Sequence, residues 1–169
     1  MIHIRNAREG EADLLSEIGL RAWQKAMVAM GETDALLDAA RSAFTNFARN
    51  SWLTITVAEL NGQVVGWGAR EKFDETISDF WIDPAFTRQG VGAALLAQIE
   101  TDIADQGFSS AGMQTHSGNN EAINFFQKHG YSIHWLSIVY NPKLDRDVPS
   151  VGLSKPLESG GDGTYGPDF

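Results

Sequence analysis

The sequence predicts an α/β protein of the α+β type, with one mixed, mainly antiparallel sheet and helices on both faces. Two strand-like runs, "WLTITVAEL" and "QVVGWGAR", meet at Asn61-Gly62, a dipeptide that supplies the positive φ angles of a tight antiparallel turn. A strand–helix–strand pattern over residues 76–115 implies a parallel crossover, since parallel neighbours need a long connection. The 169 residues, 43% hydrophobic and 21% charged, suit one domain that buries roughly 70% of its unfolded surface.

In chain order, "IHIR" alternates with period two and reads as a short first strand. From residue 8 to about 27, Leu14, Leu15, Ile18 and Ala22 recur at helical spacing behind acidic residues suited to a helix N-terminus. A second helix is expected over residues 33–49, with Leu36, Leu37, Ala40, Phe44 and Phe47 on one side and Thr33 as N-cap. After the hairpin, "TISDFWI" reads as a fourth strand, and the next helix runs from near Gly90 to Gly107. "SSAGMQT" is a strand, residues 120–129 a helix closed by Gly130, and "YSIHWLSIVY" and "VPSVGLSKPL" two final strands around the turn "NPKLDRD". The expected domain covers residues 1–157. Residues 158–169, Gly-rich and polar, cannot build a core and read as a flexible tail.

Composition excludes several classes. No cysteine is present, which removes disulfides, thiolate metal sites and cysteine nucleophiles. No apolar run nears the roughly 20 residues that span a bilayer, and "MIHIRNAREGE" lacks a signal-peptide layout. A soluble, cytoplasmic protein without a membrane partner is expected. A net charge of -9 argues against nucleic-acid binding, which needs clustered Lys and Arg. His3, His129 and His134 lack metal-ligand spacing, so no metal is expected.

The densest signal is "WIDPAFTRQGVGAALL". A strand breaks at Asp83-Pro84, crosses a polar loop and becomes a helix just after Gly90 and Gly92. A helix N-terminus offers about four unpaired N–H groups, and glycine lets a phosphate approach them. On the glycines alone, a phosphate cradle and a plain chain-reversing turn both remain open. A Walker A loop fails because Ala93-Ala94 stand where Lys-Ser/Thr is required. A dinucleotide turn is weak because Leu95 replaces the third glycine.

The segment "DFWIDPAFTRQGVGAALLAQIE" resembles the acetyl-CoA-binding motif of the GNAT N-acetyltransferase superfamily, and "NNEAINFFQKHGY" resembles that family's later strand-to-helix motif. Their order and separation match as well, and with the element order the resemblance covers roughly residues 1–157. The resemblance implies that pantetheine lies along Phe80, Trp81 and Ile82. It further implies that the pyrophosphate meets the amides of Arg88, Gln89, Gly90, Val91, Gly92 and Ala93, with Arg88 adding charge, and that Asn119 meets the pantetheine. Two positions depart from the pattern. Thr87 stands where the family carries Gln or Arg, and Phe126 stands where a Tyr commonly protonates the departing thiolate. A phenyl ring has no proton to give.

The implied reaction is attack of a primary amine on a thioester. Such an amine is mostly ammonium at neutral pH, so a base is useful. By period two, Glu75 and Asp79 share one face of the fourth strand beside the implied thioester. Asp79 is the preferred base and Glu75 the second, with a structural carboxylate as the alternative for each. His116 is a further base candidate or a satisfied structural histidine. Trp23, Met27 and Met30 fall in the region that forms an acceptor wall in this family, though core packing explains them equally.

The expected function is an N-acetyltransferase using acetyl-CoA as co-substrate, with no metal, on a primary amine of a small molecule or peptide. Direct transfer in a ternary complex is expected, because cysteine and a G-x-S-x-G elbow are both absent. Transfer of another acyl group, or a CoA-binding module without catalysis, stays open, and a homodimer is compatible with either.

Overall fold

The Asn61-Gly62 turn forms as its residue types demand: φ is 53° at Asn61 and 87° at Gly62, and it joins β2 (Ile55–Leu60) to β3 (Gln63–Ala69). The computed structural model describes residues 1–29, 36–141 and 145–158. Around the hairpin stand β1 (Ile2–Asn6) and β5 (Asp79–Ile82), giving a four-stranded antiparallel sheet of order β1-β2-β3-β5. Alternate side chains leave opposite faces of this sheet. Val57 and its register partner Trp67 join one apolar cluster, Ala58 and Val65 the other.

The first cluster is closed by α1 (Ala12–Ala29) and α2 (Leu37–Asn50). Leu15, Ile18 and Phe44 pack there against Trp67. The Trp67 indole, fully buried, donates to the Leu15 carbonyl at 2.8 Å, which satisfies a polar group that burial would otherwise penalise. The second cluster is closed by α3 (Val91–Asp105), whose Leu95, Leu96, Ile99 and Ile103 are all buried.

A second four-stranded sheet has the order β4-β6-β8-β7. It comprises β4 (Thr76–Ile77), β6 (Ser110–His116), β7 (Ser132–Asn141) and β8 (Arg146–Pro156), with α4 (Asn120–Lys128) between β6 and β7. Only β4–β6 is parallel. The mixed architecture with helices is as expected, but the single sheet is corrected to two. "TISDFWI" is not one strand. Thr76 and Ile77 pair with Gly112 and Met113, whereas residues 79–82 pair with β3. Ser78 already donates its amide to the Ala69 carbonyl, at 2.9 Å. The chain crosses from one sheet to the other at Ser78, and the sheets part there.

Smaller differences follow from local geometry. A 3-10 turn, residues 9–11, precedes α1, and another, residues 52–54, replaces the start of the expected strand. Thr33 and Met30, the turn residues 142–144 and the tail from residue 159 lie outside the described residues. Among the described residues no helix is long and apolar enough to cross a membrane.

Candidate functional site

The parting of the sheets opens a cleft of about 490 Å³, within the range of small-ligand sites. Residues 76–79 and Trp81 line one side, residues 114–116 and Asn119 the other. Trp23 and Met27 of α1 and Phe47 of α2 close it from the helical layer, and Tyr140 and Ser150 from the far strands.

Asp79 and Trp81, two residues apart on β5, share the face toward this cleft. Asp79 is only 7% exposed, and its Oδ1 accepts a hydrogen bond from the Trp81 indole at 3.1 Å. Trp81 in turn meets Phe44 edge to face at 5.2 Å. Phe80 and Ile82 leave the opposite face: Phe80 packs on Phe125 and Phe126 at 5.7 and 5.4 Å. Of the expected pantetheine strand, then, only Trp81 presents its side chain to the cleft.

Glu75 does not line the cleft; its carbonyl accepts from the Gly112 amide and it precedes the chain crossing. The shared face expected for Glu75 and Asp79 is broken because period two does not carry through Ser78. Asp74, Glu71 and Lys72, from the loop before β4, line the rim instead.

On the facing side Asn119 caps α4. Its Oδ1 accepts from the Ala122 amide at 3.2 Å, and its Nδ2 donates to Thr115 Oγ1 at 3.2 Å. His116 Nδ1 accepts from the Gly118 amide at 2.8 Å. That bond leaves the ring proton of the neutral form on Nε2, so His116 has no lone pair to spare for a substrate. It reads as the satisfied structural histidine.

The turn before α3 is held from below. Asp83, 7% exposed, accepts from the Ala85 amide and from Arg21 Nη2 of α1, at 3.1 and 2.7 Å. Arg88 and Gly90 then adopt left-handed φ values of 64° and 84°. The Ala94 amide bonds back to the Gly90 carbonyl at 3.1 Å, so the amides of residues 91–93 precede the first intrahelical bond. Arg88, Gln89 and Gly90 are exposed. Val91, 1% exposed, is a core side chain. A Cβ on Gly92 would lie 3.2 Å from the Phe125 ring, so this glycine also serves the contact between α3 and α4. None of residues 88–93 lines the cleft.

Phe126, 2% exposed, sits among Phe80, Phe125 and Tyr131, with the latter two at 5.2 Å each. Its ring is a core contact rather than a cleft contact. Tyr131 does not replace a missing acid either. Its hydroxyl donates to Glu100 Oε2 at 2.7 Å, and Lys155 holds the other oxygen at 2.9 Å. Burial, then the Glu100 carboxylate, push the Tyr131 phenol above its ordinary value of 10. The unfolded chain therefore loses this proton first as pH rises, so its contribution to stability is full below about pH 10 and is lost above it. Tyr131→Phe is expected to cost about 1–2 kcal/mol near pH 8. Urea denaturation of both proteins from pH 7 to 11 checks the loss and its narrowing at the alkaline end.

Tyr140 is one of the cleft residues that sequence reasoning missed. It is 54% exposed and donates to Asp145 Oδ1 at 2.7 Å. The hydrogen bond to Asp145 raises its ionisation above the usual tyrosine value.

A family model described as the acetyltransferase (GNAT) family matches residues 18–131. The [ribosomal protein bS18]-alanine N-acetyltransferase of Escherichia coli K12 is 23% identical over 84 residues, 50% of this chain and 57% of that relative. The chain thus matches little more than half the length of this curated relative. Among solved structures, a GCN5-related N-acetyltransferase from Rhodopseudomonas palustris is similar with a TM-score of 0.77 at 19% identity, over 92% of this chain and 95% of that one. PaiA N-acetyltransferase from Thermoplasma acidophilum, solved in complex with coenzyme A, has a TM-score of 0.77 at 15% identity, over 93% and 99%. At these identities the structural likeness speaks to the fold.

Proposed function

The chain belongs to the acetyltransferase (GNAT) family, and from that premise we propose that it moves an acetyl group from acetyl-CoA to a primary amine. One observation carries the reading: the sheets part at Ser78, beside a buried carboxylate, between the two segments that resemble the family's motifs. A small-molecule or peptide amine as acceptor, and a cytoplasmic place, belong to the same proposal.

The residues fit acetyl-CoA as substrate in three places. Arg88 and Gly90 are left-handed in the turn that leads into α3, whose first amides lack intrahelical partners and favour an anionic pyrophosphate. Arg88, exposed, adds a positive charge there. β5 stands at the edge of its sheet, where the extended pantetheine can be laid beside residues 80–82 as an added strand. Asn119 faces it across the parting, its side chain oriented by accepting from the Ala122 amide and donating to Thr115.

In the cleft, the acceptor ammonium is attracted by Asp79 and gives up a proton to it, directly or through water. The amine lone pair then forms the C–N bond at the thioester carbonyl, and the C–S bond breaks. CoA departs as thiolate. Its conjugate acid has a pKa of about 8.5, so departure without a proton donor is tolerable, which accords with Phe126 in the core. The amide keeps the acetyl group, and the second amine proton goes to solvent.

With no cysteine in the chain, no thioester on the protein precedes transfer. Initial-rate plots against acetyl-CoA and amine are expected to intersect. Parallel lines, or acetylated protein after incubation with acetyl-CoA alone, would count against direct transfer.

A further inference from the structure

The cleft has an asymmetry that bears on the acceptor, and the inference rests on the transfer reading above. Every side chain that the described parts of α1 and α2 contribute to it is apolar: Trp23, Ala26, Met27, Ala43 and Phe47. On α1 the spacing is three and four residues, and on α2 it is four, so each set stacks on one helix face. Trp81 extends this wall to the carboxylate it holds. Among the described residues, Asp79 is the only buried charged side chain of the lining. The remaining charges, Glu71, Lys72 and Asp74, come from one rim loop, away from the helical wall. Asp74 Oδ1 is itself engaged by the Thr76 amide at 2.9 Å.

We infer that the acceptor is a primary amine carrying one cationic head on an aromatic or similarly flat apolar body. The ammonium lies at Asp79 and the body lies against Trp23, Met27 and Phe47. A peptide laid along this helical wall would press its amides on a surface whose polar atoms are the indole N–H groups of Trp23 and Trp81, the latter already given to Asp79, losing water with little replacement. A diamine laid along the same wall would bring its second charge to a surface without a carboxylate. An apolar ring gains on the same surface, and aromatic faces add attraction for the adjoining cation.

Three probes test this at saturating acetyl-CoA: 2-phenylethylamine, butane-1,4-diamine and a short peptide with a free alanine N-terminus. Binding is followed by calorimetry with a non-transferable CoA thioether, and turnover by mass detection of the amide. 2-Phenylethylamine is expected to exceed the other two by roughly a hundredfold in kcat/KM, the scale on which apolar pockets discriminate. Ala43→Asp, which sets a carboxylate on the half-buried wall, should shift the ratio toward the diamine while leaving acetyl-CoA affinity unchanged. Better binding and turnover of the peptide or diamine by the parent overturns the inference and leaves the transfer reading standing. Tight 2-phenylethylamine binding without any amide overturns transfer but keeps the cleft's preference. Binding of none of the three overturns the inference.

Discussion

Asp79→Asn is expected to lower kcat/KM for amine acetylation about a hundredfold or more near pH 7, the usual scale for a general base, and far less above pH 10. The substitution is isosteric and can keep the bond to Trp81. An asparagine Oδ1 can still accept the Trp81 indole N–H that Asp79 now accepts at 3.1 Å, so the edge-to-face contact of Trp81 with Phe44 is preserved. What is lost is a negative charge, 7% exposed, that draws in the ammonium and takes its proton. At high pH the amine is already neutral, and the charge no longer limits the rate. Kinetics from pH 6 to 10.5 with one good amine decide it. An equal loss at every pH would assign Asp79 to holding Trp81 rather than to proton transfer.

The second large effect is expected at Gly90. A Cβ there would meet only Ile2 Cδ1, at 3.7 Å, so packing admits a side chain, but φ is 84°. The left-handed region costs an L-residue roughly 1–2 kcal/mol, and more when branched at Cβ. Gly90→Val should therefore pull the turn out of the conformation that aims the amides of residues 91–93. Acetyl-CoA affinity is expected to fall about tenfold or more, the equivalent of roughly 1.4 kcal/mol, with the melting temperature lowered only slightly. Gly92→Ala should behave in the opposite way. Its Cβ would crowd Phe125 at 3.2 Å, so it is expected to lower stability before affinity. Calorimetry with acetyl-CoA and thermal melts on both variants separate conformation from packing. Unchanged affinity in Gly90→Val would remove the phosphate from this turn.

Much of the fold was legible because its signals are local. Positive φ at Asn61, Gly62, Gly90, Gly107 and Gly130 falls where turn and cap residues demand it, and the helices and strands lie between those points. The cleft was less legible because its decisive facts are non-local. Nothing in "TISDFWI" says that Thr76 and Ile77 pair with β6 while residues 79–82 pair with β3. Without that, period two sets Glu75 and Asp79 on one face. Gly92 reads as an open approach until Phe125, from a different helix, is seen against it. Tyr140 reaches the cleft through strand order alone: β7 follows β8 and β6 in space, though it lies far along the chain from β4. Asp79 and Trp81 do share one face by period two, because both belong to one unbroken strand.

The most direct measurement follows the acetyl group itself. With acetyl-CoA labelled by carbon-13 in the acetyl methyl, isotope-filtered nuclear Overhauser spectra of the complex without amine report which side chains touch that methyl. Contacts to the Trp81 ring and to the Asn119 side chain, on the two facing walls of the parting, are the expected result. A tightly bound acetyl-CoA whose methyl touches neither would contradict transfer in this cleft.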